Sequence, residues 1–336
     1  MSEVAAVCVV IAVMYGIARG SWPGLSVNRA AITVIGAALL LALGTITPAA
    51  AWQAIDLSTL IILAGMMVIN GVLEEAGVFA AAAHWLGASV GHGATLLAVL
   101  MVTCAAMSAL FLNDTVVFLL TPFVVVLAQH CRVAPIPLLL GIATSANIGS
   151  ALTITGNPQN IVIGAAAGIG FVPFALQMAP VVGISLVIAY AVITLVYRRD
   201  LGPVSRDPHN PPHRAHPRGL LTIGLLTVLL CSGVAAPVAV WITAATAFLR
   251  RSAPPQQIFA SIHSELLIFF AALFVVTAAF GQTAHAQALV TATVTAMDGS
   301  LARLGITAAV LSNLVSNVPA VLLLQPIIPS FADPER

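Results

Sequence analysis

The chain has 336 residues, of which 60% are hydrophobic and only 7% are charged, and its mean hydropathy is +1.08. Roughly a quarter of the residues of a soluble domain are charged, so this composition excludes a soluble domain and predicts a protein embedded in a lipid bilayer. All twelve basic residues are Arg, and the net charge of +1 offers no basic surface for nucleic acid. The four cysteines are scattered, without the spacing of a metal site or a disulfide framework.

The first 197 residues contain five apolar stretches suited to crossing a bilayer, which takes about 20 helical residues. They are residues 4–18, 27–46, 57–73, 138–166 and 172–197. The acidic start of the first stretch is unlike a cleaved signal peptide, so it is predicted to be a retained span. Between the third and fourth stretches, residues 94–129 form two apolar arms that meet at a polar tip, which predicts a re-entrant hairpin.

Residues 198–218 contain five of the twelve arginines, three histidines and five prolines, and are predicted to form a solvated cytoplasmic loop. The histidines show no regular ligand spacing, so a flexible loop is preferred to a metal site. Further spans are predicted at 220–232, 239–249 and 266–280, followed by a second hairpin at about 304–330. Ten of the twelve arginines fall on the side of the loop, and only Arg303 and Arg336 do not, which favours an external amino terminus.

The two halves of the chain contain an internal repeat. The segment from Ser108 to Pro122 resembles that from Ser312 to Pro326, with Ser, Asn and Pro at one common offset. An odd number of crossings between the copies makes the repeat inverted, as in many secondary transporters; chance similarity of two apolar hairpins is the alternative. The first repeat is assigned to residues 1–197, with the hairpin at 94–129 and a broken span at 136–166, and the second to 219–336.

The predicted fold is therefore an all-α polytopic membrane protein, an inverted repeat with re-entrant hairpins and broken transmembrane helices. The second copy of the motif at residues 144–160 would begin beyond Arg336, so the second repeat is predicted to be truncated at the carboxyl terminus.

A polar run interrupts the fourth span. Residues 143–160 carry nine hydroxyl or amide side chains in 18 positions, and Gly156 and Pro158 are expected to break the helix. A break frees carbonyl groups at one half-helix end and amide groups at the other, and these bind cations and anions respectively. A kinked helix whose polar side chains pack against its neighbours is the alternative.

Asp114 is the one acid placed well inside a pair of apolar segments. A carboxylate within a membrane is by default an ion or proton site, although Asp114 could also cap the second arm of the hairpin. Its neighbours Asn113 and Thr115 offer neutral ligands. Asn317 matches Asn113 in the repeat, but Val318 replaces the acid, so any charge at the site is asymmetric.

The remaining acids are left out of the candidate site. Glu74 and Glu75 are interpreted as a solvated helix end, and Asp56 and Glu265 stand at span starts, where helix dipoles favour acids. The sequence contains no nucleophile elbow, P-loop or HExxH motif. Intramembrane proteolysis and ATP-driven pumping therefore lack the residues they need, and the chain is predicted not to be an enzyme.

Three motifs resemble those of the ion transporter superfamily, which includes citrate-transporter-like permeases, divalent-anion/sodium symporters, arsenite-efflux permeases and one type of sodium/proton antiporter. The motifs are Phe111-Leu-Asn113-Asp114-Thr115 with Thr121-Pro122, Ala146-Asn147-Ile-Gly149 to Gly156-Asn157-Pro158-Gln-Asn160, and Ser316-Asn317-Val-Pro319. The resemblance spans nearly the whole chain. The hairpin tip departs from the Ser-Asn-Thr of dicarboxylate symporters, because Leu112 replaces the serine and Asp114 follows the asparagine, as in arsenite permeases and the antiporters.

The resemblance implies that hairpin tips and broken helices form the substrate and cation sites of a homodimer in a bacterial-type inner membrane. It implies Na⁺ or H⁺ as the coupling ion and no resident cofactor. Ser108, which the repeat pairs with Ser312, is added to the candidate binding residues. The implied first half-site comprises Asn113, Asp114, Thr115, Asn147, Gly149, Thr155, Gly156, Asn157 and Asn160, and the second includes Ser316 and Asn317.

From these features we expect a secondary active transporter, a Na⁺- or H⁺-coupled permease for a small anion such as a carboxylate or an inorganic oxyanion. A sodium/proton antiporter and an arsenite-efflux permease are the alternatives. A passive channel is disfavoured because it would not need an inverted repeat with two closed hairpins.

Overall fold

A computed structural model describes residues 2–22, 26–78, 81, 91–204, 216–249, 256, 262–297 and 299–327. Regular structure in these ranges is α-helical, with isolated bridges but no β-strand. The helices are α1 (Ser2–Arg19), α2 (Arg29–Ala42), α3 (Pro48–Ala54), α4 (Leu57–Glu75), α5 (Gly93–Leu110), α6 (Asn113–Cys131), α7 (Pro135–Ser150), α8 (Pro158–Ala167), α9 (Phe171–Val196), α10 (Pro217–Cys231), α11 (Ala236–Leu249), α12 (Ser264–Gly281), α13 (Ala284–Met297), α14 (Leu301–Val315) and α15 (Asn317–Leu324). The predicted all-α fold class is thus confirmed.

Within the described ranges, four helices are long and apolar enough to cross a membrane, namely α4, α5, α9 and α12. Helix α9 has 26 residues, which corresponds to about 39 Å at 1.5 Å per residue and exceeds a hydrocarbon core of about 30 Å. It exposes large apolar side chains such as Val181, Ile184 and Leu195. Such a surface suits contact with lipid tails, which are as apolar as leucine.

Each predicted span coincides with a helix, and the predicted broken span is divided into α7 and α8. Neither α3 nor α13 is predicted from the sequence. Helix α3 has only seven residues and begins at a Thr47 cap followed by Pro48. Helix α10 begins at Pro217, within the predicted loop, whereas residues 205–215 of that loop and 328–330 of the second hairpin lie outside the described residues.

The chain divides into two compact units, one of which combines Met1–Leu60 with His263–Arg336. Within it, α12 packs against α1, α2 and α3, and α14 packs against α1 and α15. Asn28 links α2 to α12: its Oδ1 accepts a hydrogen bond from the Ala31 amide, and its Nδ2 donates to the Glu265 carboxylate at 2.9 Å. Helices α14 and α15 form the second hairpin and are joined by Ser316 alone.

The other unit is Ile61–Ile262, in which α7 is the central helix, in contact with α5, α6 and α9. Helices α5 and α6 form the first hairpin. Gly149 allows α5 and α7 to approach closely, because a Cβ atom there would overlap the Ala105 backbone. Helix α4 packs against α11 through Trp241, whose Nε1 donates to the Ile61 carbonyl at 2.8 Å. Since neither unit corresponds to a predicted repeat, the repeat boundaries stay a prediction.

Candidate functional site

The tip of the first hairpin consists of Phe111 and Leu112, which join α5 to α6. Phe111 leaves the helical conformation, with φ −124° and ψ 161°, and α6 begins at Asn113. Asp114 lies in the first turn of α6, where the positive end of the helix dipole favours a carboxylate. The amino-terminal cap position, Leu112, makes no side-chain capping bond. Asp114 is therefore placed in the first turn but does not cap the helix.

The break in the fourth span lies between Ser150, the last residue of α7, and Pro158, the first residue of α8. Pro158 occupies the first helical position, where a missing N–H group carries no penalty. The Asn157 Oδ1 caps α8 by accepting a hydrogen bond from the Asn160 amide at 2.9 Å. The sequence prediction of a helix broken before Pro158 is confirmed.

A buried network of amide and hydroxyl groups braces this break. The Asn160 Nδ2 donates to the carbonyl groups of Ser150 and Thr153 at 3.1 and 2.8 Å. The Asn157 Nδ2 donates to the Ser150 hydroxyl at 3.1 Å, and the Thr153 hydroxyl donates to the Ala109 carbonyl. Because carbonyl groups freed by a helix break would otherwise remain unpaired in an apolar environment, these bonds stabilise the break.

The hairpin tip and the break are joined directly. The Asn113 amide donates to the Gly156 carbonyl at 3.2 Å, and the Asn113 Nδ2 donates to the Asn147 Oδ1 at 3.1 Å. A Cβ atom on Gly156 would collide with the Ser150 carbonyl and approach the Ser108 carbonyl to 2.8 Å. Only glycine therefore permits this contact between α5 and the break.

A cavity of about 780 Å³ opens beside the tip. The polar residues on its wall are Glu74, Asn113, Asp114, Thr121 and Asn147, and the rest of the wall is apolar. Glu74, Asp114 and Asn147 have exposed side chains. Among the described residues, no group donates a hydrogen bond to the Asp114 carboxylate and no basic residue lines the cavity, so its polar surface consists of carboxylates, amides and one hydroxyl.

The candidate residues thus fall into three groups. Asn113, Asp114 and Asn147 face the cavity, and Thr115 is half-buried beside them. Behind the wall, six candidate residues are buried: Ser108, Gly149, Thr155, Gly156, Asn157 and Asn160. Ser316 and Asn317 lie in the other compact unit, where they join α14 to α15.

Glu74 is a residue of the cavity wall that sequence analysis leaves out. Its position near the end of a predicted span suggests a solvated helix end, and its side chain is indeed exposed. The structure shows in addition that the space it faces is the cavity shared with Asp114. No pattern in the sequence distinguishes it from Glu75, which is also exposed but does not line the cavity.

Comparison with known proteins identifies similar transporters. The silicon efflux transporter LSI3 of Oryza sativa subsp. japonica is 37% identical over 181 residues, which are 54% of this chain and 37% of that protein. An uncharacterized transporter of Mycobacterium tuberculosis (strain H37Rv) is 31% identical over 297 residues, 82% of this chain and 68% of the relative. A Dictyostelium discoideum protein named as transporter arsB is 33% identical over 178 residues, 53% of this chain and 31% of the relative.

These relatives are named as transporters and not as enzymes. The matched segments span 37% and 31% of the LSI3 and arsB proteins, so the chain corresponds to about a third of their length. A family match, by contrast, covers residues 6–335, nearly the whole chain. With its apolar helices and its polar break between α7 and α8, this chain belongs to the citrate transporter family.

Proposed function

We propose that this chain is a secondary active transporter in which Asp114 binds the coupling ion, Na⁺ or H⁺, and the adjoining cavity receives a small anion. The observation that carries the proposal is a carboxylate at the tip of a hairpin of apolar helices, exposed to a cavity and without a hydrogen-bond donor among the described residues. Such a group is costly in a membrane unless it handles ions or protons. The Asn113 and Asn147 side chains beside it offer neutral oxygen ligands.

The cargo of this leading proposal is a carboxylate or an inorganic oxyanion. The match to the citrate transporter family supports an anionic cargo, and the start of α6, which has no side-chain cap, is suited to bind one. An anion would enter together with the cation bound at Asp114. The positive charge of that cation would offset the negative charge of the anion. From the family resemblance we further propose that the protein is a homodimer. We also propose that it lies in a plasma membrane, and a bacterial relative supports this location.

An uncharged oxyacid, exported in the manner of arsenite efflux, is a second candidate cargo. The cavity favours it, because the described wall carries two carboxylates, Glu74 and Asp114, and no basic residue that could pair with an anion. The start of α8 is already capped by the Asn157 side chain, and the start of α6 carries the Asp114 carboxylate in its first turn, which would repel an anion. Relatives named for silicon efflux and as transporter arsB point the same way.

The test is uptake into proteoliposomes under imposed Na⁺ or H⁺ gradients, with citrate, succinate, phosphate, sulfate and arsenite offered in turn. We expect gradient-driven accumulation of one cargo by the wild type. Asp114→Asn should abolish the dependence on the gradient, because a neutral amide cannot neutralise a coupling cation or carry a proton. Glu75→Gln is the matched control, since Glu75 is an exposed acid that does not line the cavity.

The possible outcomes separate the alternatives. Accumulation of an anion supports the leading proposal, whereas movement of arsenite alone supports the second candidate. A proton flux driven by Na⁺ with no cargo moved would make the protein an antiporter. Gradient-driven uptake that survives in Asp114→Asn would overturn the role of Asp114.

A further inference from the structure

Asn70 lies within α4 and is buried, with 3% of its surface exposed. Neither its Oδ1 nor its Nδ2 has a hydrogen-bond partner in the described part of the chain. A buried amide left without partners costs free energy, and leucine, of similar shape, would fill the same volume without that cost. The amide is therefore a group that stability alone does not explain.

Glu74 follows Asn70 by four residues, so the two side chains lie on the same face of α4, about 6 Å apart along the helix axis. Glu74 lines the cavity that also exposes Asp114. Asn70 lies one turn further from the carboxyl-terminal end of α4. It thus extends the polar side of the helix from the cavity wall into the interior of the unit.

The other neighbours of Asn70 on this side of α4 are Met66, Met67 and Leu73, each at most 3% exposed. Along α4, Glu74 is therefore the one polar neighbour of the amide at helical spacing. A hydrogen bond formed there by a ligand is worth more than one formed in water, because no solvent competes for the amide.

The two unpaired atoms define the chemistry of that ligand. Oδ1 only accepts hydrogen bonds and Nδ2 only donates them. A bare cation would satisfy Oδ1 alone, and a fully ionised dicarboxylate would satisfy Nδ2 alone while lying near the Glu74 carboxylate. A small oxyacid with intact hydroxyl groups satisfies both atoms, since each hydroxyl is both a donor and an acceptor.

We propose that Asn70 is a binding residue for the transported solute, and that this solute is an un-ionised oxyacid held by both sides of the amide. Glu74 lines the cavity one turn away from Asn70, so the solute would reach Asn70 along this side of α4. The inference rests on the proposed transport function and selects the second of its two candidate cargoes, the uncharged oxyacid.

The experiment measures arsenite and succinate transport by the purified, reconstituted protein, together with thermal unfolding. Arsenite at neutral pH is an un-ionised hydroxylated acid, whereas succinate offers acceptors alone. For Asn70→Leu we expect a half-saturating arsenite concentration about tenfold higher, the effect of losing roughly two neutral hydrogen bonds. Its unfolding temperature should equal or exceed that of the wild type, which a structural role would not produce.

Two further variants keep the test decisive. Asn70→Ser shortens the side chain without adding bulk and should raise the half-saturating concentration in the same way. Thr194→Val is the matched control, because the Thr194 hydroxyl is also buried and unpaired but lies on α9, away from the cavity wall. It should transport arsenite as the wild type does.

The inference is overturned if the wild type moves arsenite and Asn70→Leu has the same half-saturating arsenite concentration. That result is expected if a buried water, and not the solute, forms hydrogen bonds with the Asn70 amide. The inference is also overturned if the wild type moves succinate and not arsenite, although the proposed transport function would then stand. A wild type that moves no cargo under any gradient would instead contradict the proposed function itself.

Discussion

At the scale of single residues, Asn160 belongs to the polar motif at residues 143–160, and its contacts indicate a structural role instead of direct ion binding. Its side chain donates to two backbone carbonyl groups at the break and is 8% exposed. Asn160→Leu would remove the donor to the Ser150 carbonyl and leave the Thr153 carbonyl with only the long bond from the Gly156 amide at 3.5 Å, and a buried carbonyl left unpaired costs about 1–3 kcal/mol. We expect a clear loss of stability, measured as a lower unfolding temperature of the purified protein in detergent.

Gln159→Leu provides the control for this change, because Gln159 is adjacent in sequence and only half-buried, and its side chain has no part in the described network. Its unfolding temperature should stay near that of the wild type. An Asn160→Leu protein as stable as this control would contradict the bracing role and return Asn160 to the list of direct ion ligands.

The residue types of the site are predictable from the sequence, because polar groups inside apolar runs are costly and need a reason. Their division between cavity and brace is not predictable. Asn147 and Asn160 are the same residue type within one motif, yet Asn147 is exposed at the cavity and Asn160 is buried. That difference depends on how α5 packs against α7, which no local pattern encodes. The position of Glu74 on the cavity wall is not predictable either, because it depends on where α4 lies beside the first hairpin.

At the scale of elements, the joint between α14 and α15 is strained. Ser316 has φ +80° and ψ 159°, a conformation that is nearly restricted to glycine and costs about 1–3 kcal/mol for other residues. Ser316→Gly should therefore raise the free energy of unfolding by about 1 kcal/mol, since part of the relieved strain is offset by the greater chain entropy of glycine. Thermal unfolding of the purified variant measures the gain.

Ser316→Ala completes this prediction, because it removes the hydroxyl and keeps the strained backbone. If the hydroxyl binds substrate or ion, both variants should lose transport while only Ser316→Gly gains stability. If both variants keep transport, Ser316 is not a binding residue, although the repeat predicts one at this position. Equal stability of the two variants would show that the joint is relaxed.

Helix positions are predictable where long apolar runs and strong breakers coincide, as at Pro158. The two missed helices lack one of these signals. Helix α3 has only seven residues, and α13 is rich in Ala and Thr and therefore less apolar than a typical span. Helix α13 instead contributes Met297 and Val294 to an apolar cluster with α14 and α15, a tertiary reason that sequence periodicity does not reveal.

At the scale of the whole molecule, the sequence predicts an orientation and an inverted repeat, and one labelling experiment tests both. The start of α5 is tied to the central loop, because the Gly93 amide donates to the Gly202 carbonyl at 2.8 Å. A label at residue 200 therefore reports the side of the membrane on which α5 begins, which is the open end of the first hairpin. A label at residue 302, at the start of α14, reports the side of the second hairpin.

Asp200→Cys and Ala302→Cys replace exposed residues, and each is made after Cys8 and Cys231, the exposed native cysteines, have been changed to Ser. Arginines concentrate on the cytoplasmic side, so a membrane-impermeant maleimide should label intact cells only at residue 302. Residue 200 should react after the membrane is opened. The reverse pattern would invert the predicted orientation but keep the repeat inverted. Labelling of both residues from one side would mean that the hairpins open in the same direction, and alternating access through an inverted repeat would then have no structural basis in this chain.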